Sequence, residues 1–421
     1  MTATQASDRR TQADNGQPSP AERVREWFTS GGLKDRTALL LMLIILLIVA
    51  MSALDMLGLT RGDFNSDYLA ATLIAYVPLA LLALAELFVI TSGKGGIDLS
   101  VGSMVSLSGI VFAMLFQQAG LPLVVSIVLA VVFGGLLGAF NGVLSAYLGF
   151  PPLITTLATF YGYRSIALVV SEQRPISGPE ISEFYNAAKA IELPLIGQTL
   201  PLVPLGVFTF LLPVAVVAWF VLNRTAYGRS LYAIGTNDTA AEWAGIDTRR
   251  TRMTAFVTAG AISGLVGVYT VAQFASARPD AGTSGGGMAL PAITIAVLGG
   301  VAITGGIDLS VGSMVSLTGI VFAMLYQQVG LPLAVAVVLA VAFGALLGAV
   351  NGFLSAYLGF PPLIATLATF YGYRSIALVV SEQRPISGPE ISEFYSAAKS
   401  IELPVIGGGL PLVPLGVFTF L

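Results

Sequence analysis

Long apolar runs alternate with short polar breaks along most of this chain. An α-helix needs about 20 mostly apolar residues to cross a bilayer. On that measure the pattern predicts spans at residues 37–56, 68–91, 99–116, 123–148, 153–170, 201–222, 253–274 and 288–304. Within them glycines recur four apart: Gly134, Gly138 and Gly142 in the fourth, Gly260 and Gly264 in the seventh. Small residues at that spacing let helix backbones approach closely in lipid.

The pattern then repeats itself. Residues 95–211 recur as 305–421 at a constant offset of 210, and 16 of the 117 paired positions differ. Residues 161–182 recur unchanged at 371–392, loop included. Transporter repeats of structural origin are only weakly similar, so this one reads as a recent duplication, a fusion or a join. The second copy adds expected spans at 309–326, 333–358 and 363–380. Its remaining apolar stretch, 411–421, is too short to cross. The expectation is an all-α polytopic transmembrane bundle of about eleven full spans and a truncated twelfth. It divides into a disordered cytoplasmic tail (1–36), a membrane core (37–306) and the duplicated copy (307–421).

Charge sets the direction. The tail carries Arg9, Arg10, Arg23, Arg25, Lys34 and Arg36. A second basic cluster, Arg224, Arg229, Arg249, Arg250 and Arg252, lies between the sixth and seventh spans. Both fall on one side if spans are counted in order, and the positive-inside rule makes that side cytoplasmic. The N-terminus is then cytoplasmic.

Composition agrees and narrows the chemistry. Hydrophobic residues make up 55% and charged residues 10%, against about 25% charged in a soluble protein. Mean hydropathy is +0.85. The net charge of −3 and the absence of a basic stripe speak against nucleic acid. With no cysteine and no histidine, thiolate chemistry, disulfides, histidine metal sites and Ser-His-Asp triads are excluded. No phosphate-loop motif occurs, so any ATP hydrolysis belongs to another chain.

Two motifs carry a family resemblance. Gly95-Gly96-Ile97-Asp98-Leu99-Ser100-Val101-Gly102-Ser103 occurs twice, the second time around Asp308. Tyr227-Gly228-Arg229-Ser230-Leu231-Tyr232-Ala233-Ile234-Gly235-Thr236-Asn237, followed by Ala240-Ala241-Glu242-Trp243-Ala244-Gly245-Ile246, occurs once. Over residues 38–306 the chain resembles the ABC-importer permeases of the ribose/xylose type, bacterial inner-membrane proteins. After Gly306 it departs from them, because a copy of earlier spans stands where other spans are expected. The resemblance implies a monosaccharide or related polar solute and transport without chemistry on this chain. It also implies a cytoplasmic ATP-binding subunit holding ATP and Mg, an extracytoplasmic sugar-binding protein, and a homo- or heterodimer of permeases. Two rivals stay open: a non-functional rearranged chimera, and a secondary transporter built from the two copies.

Candidate residues follow. The resemblance gives Gly228, Arg229, Ala233, Gly235, Asn237, Ala240, Ala241, Gly245 and Ile246 as an ATPase-docking loop, small residues letting a short helix sit in a partner's groove. The alternative is a basic loop that only sets topology. Asp98, Ser100, Ser103, Asn141, Thr155 and Asp308 are candidates for a pathway or broken helix; an Asp just before a span also reads as a helix cap. Glu86 and Arg164 sit within apolar spans, where charges pair or face a cavity, unless both lie nearer an interface. No metal site is expected.

Overall fold

The computed structural model describes residues 36–58, 64, 66–185, 190–191, 203–204, 206–284, 287–298, 308–360, 362–389 and 391–392. The chain divides into two compact units. The smaller comprises residues 1–75 and 190–204. It contains α1 (Arg36–Met56), the start of α2 (Ser66–Thr91), and a two-residue antiparallel ladder. In that ladder β1 (Ala190–Ile191) pairs with β2 (Val203–Pro204).

In the larger unit, residues 76–189 and 205–421, the described elements are helices apart from one isolated bridge between Ile176 and Ala277. After α2 come α3 (Val101–Ala113), α4 (Leu123–Gly142), α5 (Pro152–Val170) and the short α6 (Pro179–Phe184). Next are α7 (Leu212–Arg224), α8 (Ala226–Thr236), α9 (Asp238–Trp243), α10 (Thr248–Phe274) and α11 (Ala289–Leu298). The second copy supplies α12 (Val311–Ala323), α13 (Leu333–Ala356) and α14 (Pro362–Val380). Among the described residues, eight stretches are long and apolar enough to span a membrane. This makes the protein an all-α polytopic membrane bundle.

Helix α10 sits at the centre. It lies across α3 and α4, and glycine makes that seat. Gly134 faces Gly260 and Gly264, Gly138 faces the Phe256 carbonyl and Gly260, and Gly109 faces Gly267. A Cβ on Gly138 would stand 3.1 Å from the Gly260 Cα and run into the Phe256 carbonyl. Close backbone contact replaces side-chain packing here, as helix association in lipid favours. Around the seat, Leu81, Phe88, Phe112, Phe256 and Tyr269 are fully buried.

The second copy forms its own small core from Leu317, Leu347, Tyr373 and Ala377. Leu309 and Ile364 join it to a cluster holding Ile90, Ile97 and Ile293.

Several expected boundaries move. The sixth span begins at Val207, not at 201; Pro204 lies in β2, and without an N–H it cannot extend a helix ladder. The seventh starts at Thr248, not 253, because the Asp247 carboxylate accepts the Arg250 N–H at 2.9 Å and caps the helix earlier. The eighth is helical only over Ala289–Leu298, and residues 299–307 lie outside the described ones. So do residues 1–35 of the expected tail (1–36), whose last residue, Arg36, begins α1, and the truncated twelfth span. The first and eleventh expected spans fall within α1 (Arg36–Met56) and α14 (Pro362–Val380).

Candidate functional site

Two places gather polar side chains, and one turn of backbone connects them. The first is the break between α2 and α3. Gly93, Lys94 and Gly95 have φ of +74°, +52° and +68°, so the helix cannot continue past Thr91. The chain re-enters at Gly96, whose N–H donates to the Gly93 carbonyl at 2.9 Å.

Asp98 follows, fully buried. Its Oδ1 accepts the Ser100 N–H at 2.9 Å and the Ser100 hydroxyl at 2.6 Å. The Asn141 amide donates to Ser100 Oγ at 2.8 Å and reaches Asp98 Oδ2 at 3.4 Å. Glu86, also fully buried, accepts the Asp98 N–H at 3.3 Å. Thr156 clamps the other side: its Oγ1 accepts the Leu99 N–H at 3.1 Å and donates to the Ile97 carbonyl at 3.2 Å. Ser103 donates to the Ser100 carbonyl at 2.8 Å. Asp98 thus turns the backbone two residues before the N-cap of α3 instead of capping it; the N-cap is Ser100, with no side-chain cap bond.

Three buried atoms on or beside this cluster have no hydrogen-bond partner: Glu86 Oε1, Asn141 Oδ1 and Thr155 Oγ1. Buried polar groups are rarely left so. A polar solute or water reaching this break would meet acceptors and a hydroxyl with nothing else to bind.

Glu86 and Arg164 are not brought together. Glu86 turns to Asp98, whereas Arg164 is exposed on α5, and no ion pair joins them among the described residues. In the second copy the local bonds recur: Ser310 N–H to Asp308 Oδ1 at 2.8 Å, and Asn351 to Ser310 Oγ at 2.7 Å. Asp308 itself is exposed.

The second place is the α8–α9 loop. Each helix start is capped by a side chain: Thr225 accepts the Gly228 N–H at 3.1 Å and Asn237 the Ala240 N–H at 3.0 Å. Such caps fix short helices that propensity alone would not. Three of the small residues, Gly228, Gly235 and Ala241, turn toward the chain's own backbone and core. Gly228 packs on the Val221 and Leu222 carbonyls, the side-chain position of Gly235 meets the Thr91 carbonyl, and Ala241 is buried. Ala233 and Ile246 are half-buried; Arg229, Asn237, Ala240 and Gly245 are exposed, the last at φ +83°.

What sequence reasoning missed is an aromatic. Trp243 is 87% exposed at the end of α9, with Tyr232 at 46%. A tryptophan among Ala, Glu and Gly in a basic loop was the available signal. Asp238 was also missed. It pairs with Lys94 and, at 2.7 Å, with Arg252. Burial raises its pKa, but hydrogen bonds and charge from Lys94 and Arg252 outweigh that and hold it below the ordinary value. Among the described residues no group of three or more Asp or Glu could hold a metal ion.

Apolar helices around a polar break, joined to a capped basic loop, define a polytopic membrane transport subunit. The family described as branched-chain amino acid transport system / permease component matches residues 68–303 and again 301–408, and the chain belongs to that family. The D-allose transport system permease protein of Escherichia coli K12 is 36% identical over 228 residues, 54% of this chain and 65% of that protein. An autoinducer 2 import system permease protein of Enterobacter sp. strain 638 is 33% identical over 301 residues, 70% of this chain and 85% of that one. The corresponding protein of Salmonella paratyphi B is 34% identical over 240 residues, 56% and 69% respectively. No solved structure matches significantly. The chain is a multi-pass inner-membrane permease subunit of an ABC importer for a small polar solute, and not an enzyme.

Proposed function

We propose that the solute is a monosaccharide or a similar polyhydroxylated molecule, ribose and xylose included, received from an extracytoplasmic binding protein. The relatives named for allose and autoinducer 2 support a solute of this kind. The N-terminus is cytoplasmic, as the two basic clusters require. Two permease subunits, alike or related, form the translocation unit. Residues Asp98, Ser100, Ser103, Asn141 and Thr155 border the pathway, with Glu86 behind them; Asp308 repeats Asp98 in the second copy.

An ATP-binding subunit carrying ATP and Mg docks on the α8–α9 loop. The observation that carries this is Trp243, held 87% exposed by two capped helices. Exposed Arg229 lies on α8, and exposed Arg249 and Arg250 lie in the first turn of α10. An exposed aromatic anchor on a basic segment suits an apolar pocket with an acidic rim, and such anchors dominate interface energies. Coexpression with the ATP-binding subunit tests it. Trp243→Ala is expected to weaken association by about 2 kcal/mol, roughly 30-fold, with membrane insertion retained. Undiminished co-purification would overturn the docking assignment.

A second reading, an inserted but transport-inactive rearrangement, has one observation in its favour. The glycines of the second copy that match the α10 seat meet no other helix backbone within 4 Å. A complex that assembles and hydrolyses ATP yet moves no sugar into proteoliposomes would establish it.

A further inference from the structure

The polar break and the loop are tied together by one carboxylate. Asp238 is the first residue of α9. Its Oδ1 takes the Arg252 guanidinium at 2.7 Å, and its Oδ2 takes the Lys94 ammonium. Arg252 is 5% exposed and also donates to the Ser92 carbonyl at 3.3 Å. Two contacts therefore run from the start of α9 and α10 into the turn 92–95. A third is backbone on backbone: a Cβ on Gly93 would stand 2.9 Å from the Gly235 Cα.

That turn is held in an unusual shape. Lys94 is a non-glycine residue at φ +52°, a conformation that persists only when its surroundings over-determine it. Its ion pair with Asp238 is one such determinant. Four residues later comes Asp98, with Ser100, Asn141 and Glu86 around it. Between Lys94 and Asp98 lie only Gly95, Gly96 and Ile97, and this short stretch is held: the Gly96 N–H is bonded to the Gly93 carbonyl at 2.9 Å and Ile97 is buried.

We propose that Asp238 is a positioning residue for transport: gripping Lys94 and Arg252, it makes the α8–α9 loop and the turn 92–95 move as one body, so that displacement of the loop shifts Asp98 and Ser100 and reshapes the polar break. The inference rests on the ATP-driven import reading. It concerns how loop motion reaches the pathway, not whether the loop docks. The sequence carries this device once. The residue that corresponds to Lys94 in the second copy is Thr304, which has no charge to offer.

The full chain is reconstituted in proteoliposomes with its ATP-binding subunit and sugar-binding protein, and sugar uptake per ATP hydrolysed is measured. Lys94→Met changes a side chain that is 60% exposed, so folding is not at stake. Asp238→Asn and Asp238→Glu complete the set. The expected result is a fall of about tenfold in uptake per ATP for Lys94→Met and Asp238→Asn, with recovery in Asp238→Glu. If uptake and hydrolysis fall together at constant ratio, the triad only shapes the docking surface and the proposal is overturned. Unchanged coupling in both variants overturns it too. A wild-type complex that moves no sugar at all defeats the import reading instead, and is told apart by that control.

Discussion

The first and second copies hold nearly the same residues in unlike surroundings. Val101 and Val105 of α3 are fully buried; their counterparts Val311 and Val315 in α12 are 55% and 68% exposed. Gly138 is pressed onto α10, whereas Gly348 meets only the Met314 side chain, 3.5 Å from its Cβ position. The difference is helix α10, present once in the chain. Local bonds do not need it, since Asp308, Ser310 and Asn351 adopt the arrangement of Asp98, Ser100 and Asn141. Burial does. In water, a helix face stripped of its partner would be driven to collapse. In lipid the surrounding tails are as apolar as valine, and bare apolar surface carries little penalty. The same sequence can therefore keep its secondary structure while losing its place in a core.

The sharpest way to break this comparison is to fill matched glycines. Gly138→Leu has no room, because the obstructing atoms are backbone. Overpacking costs about 1–3 kcal/mol in yielding cores, and about 3 kcal/mol or more is expected here. Gly348→Leu should shift stability by less than about 1 kcal/mol, since the helix gains from losing a glycine and Met314 can move. Thermal unfolding of purified protein in detergent reads both. Equal losses at the two positions would mean that the α10 seat does not distinguish the copies.

Asn141 and Asn351 sharpen it at the polar break. Asn141 is fully buried and its amide serves Ser100 and the buried Asp98 carboxylate. Truncation to Ala strands buried acceptors on Ser100 and Asp98, an expected loss of about 2 kcal/mol. Asn351 makes the same bonds and one more, from Thr369 at 2.7 Å, yet Asp308 is exposed. Asn351→Ala should cost about 1 kcal/mol. The larger loss at Asn351 would show that bond count, not burial, sets the energetics.

The sequence displays the spans plainly, because apolar length is a one-dimensional property. It displays the break as well, since Gly95-Gly96 before Asp98 cannot be a continuing helix. The partners of the polar residues are less legible. Glu86 and Arg164 look like a natural pair by charge, but they lie on different helices, and rotation about each axis decides what they face. Glu86 turns to Asp98 and Arg164 to the surface. Conserving charge along a string says nothing about that rotation. The loop shows the same limit: Gly235 and Ala241 read as small residues awaiting a partner, but Gly235 faces the chain's own turn at Thr91–Gly93 and Ala241 is buried in the main apolar cluster. Trp243, the side chain left outside, is identified by exposure, which no residue type reveals.

The smallest expected effect on stability bears most directly on function. Thr155 is buried, and its hydroxyl has no partner. The matching residue of the second copy is Ala365, also buried, so the same local sequence carries alanine, without the hydroxyl and γ-methyl, at this place. A buried hydroxyl without a bond contributes nothing to folding and carries a desolvation cost. Thr155→Ala should therefore change unfolding stability by less than about 0.5 kcal/mol, or raise it slightly. If the orphaned oxygen is there for the solute, uptake must pay for its loss. A hydrogen bond made only while sugar passes, worth about 1 kcal/mol, would lower apparent sugar affinity roughly fivefold. Concentration-dependent uptake into proteoliposomes measures that separately from folding. Unaltered stability with unaltered uptake would place Thr155 off the pathway and leave Asp98, Ser100 and Asn141 to border it alone.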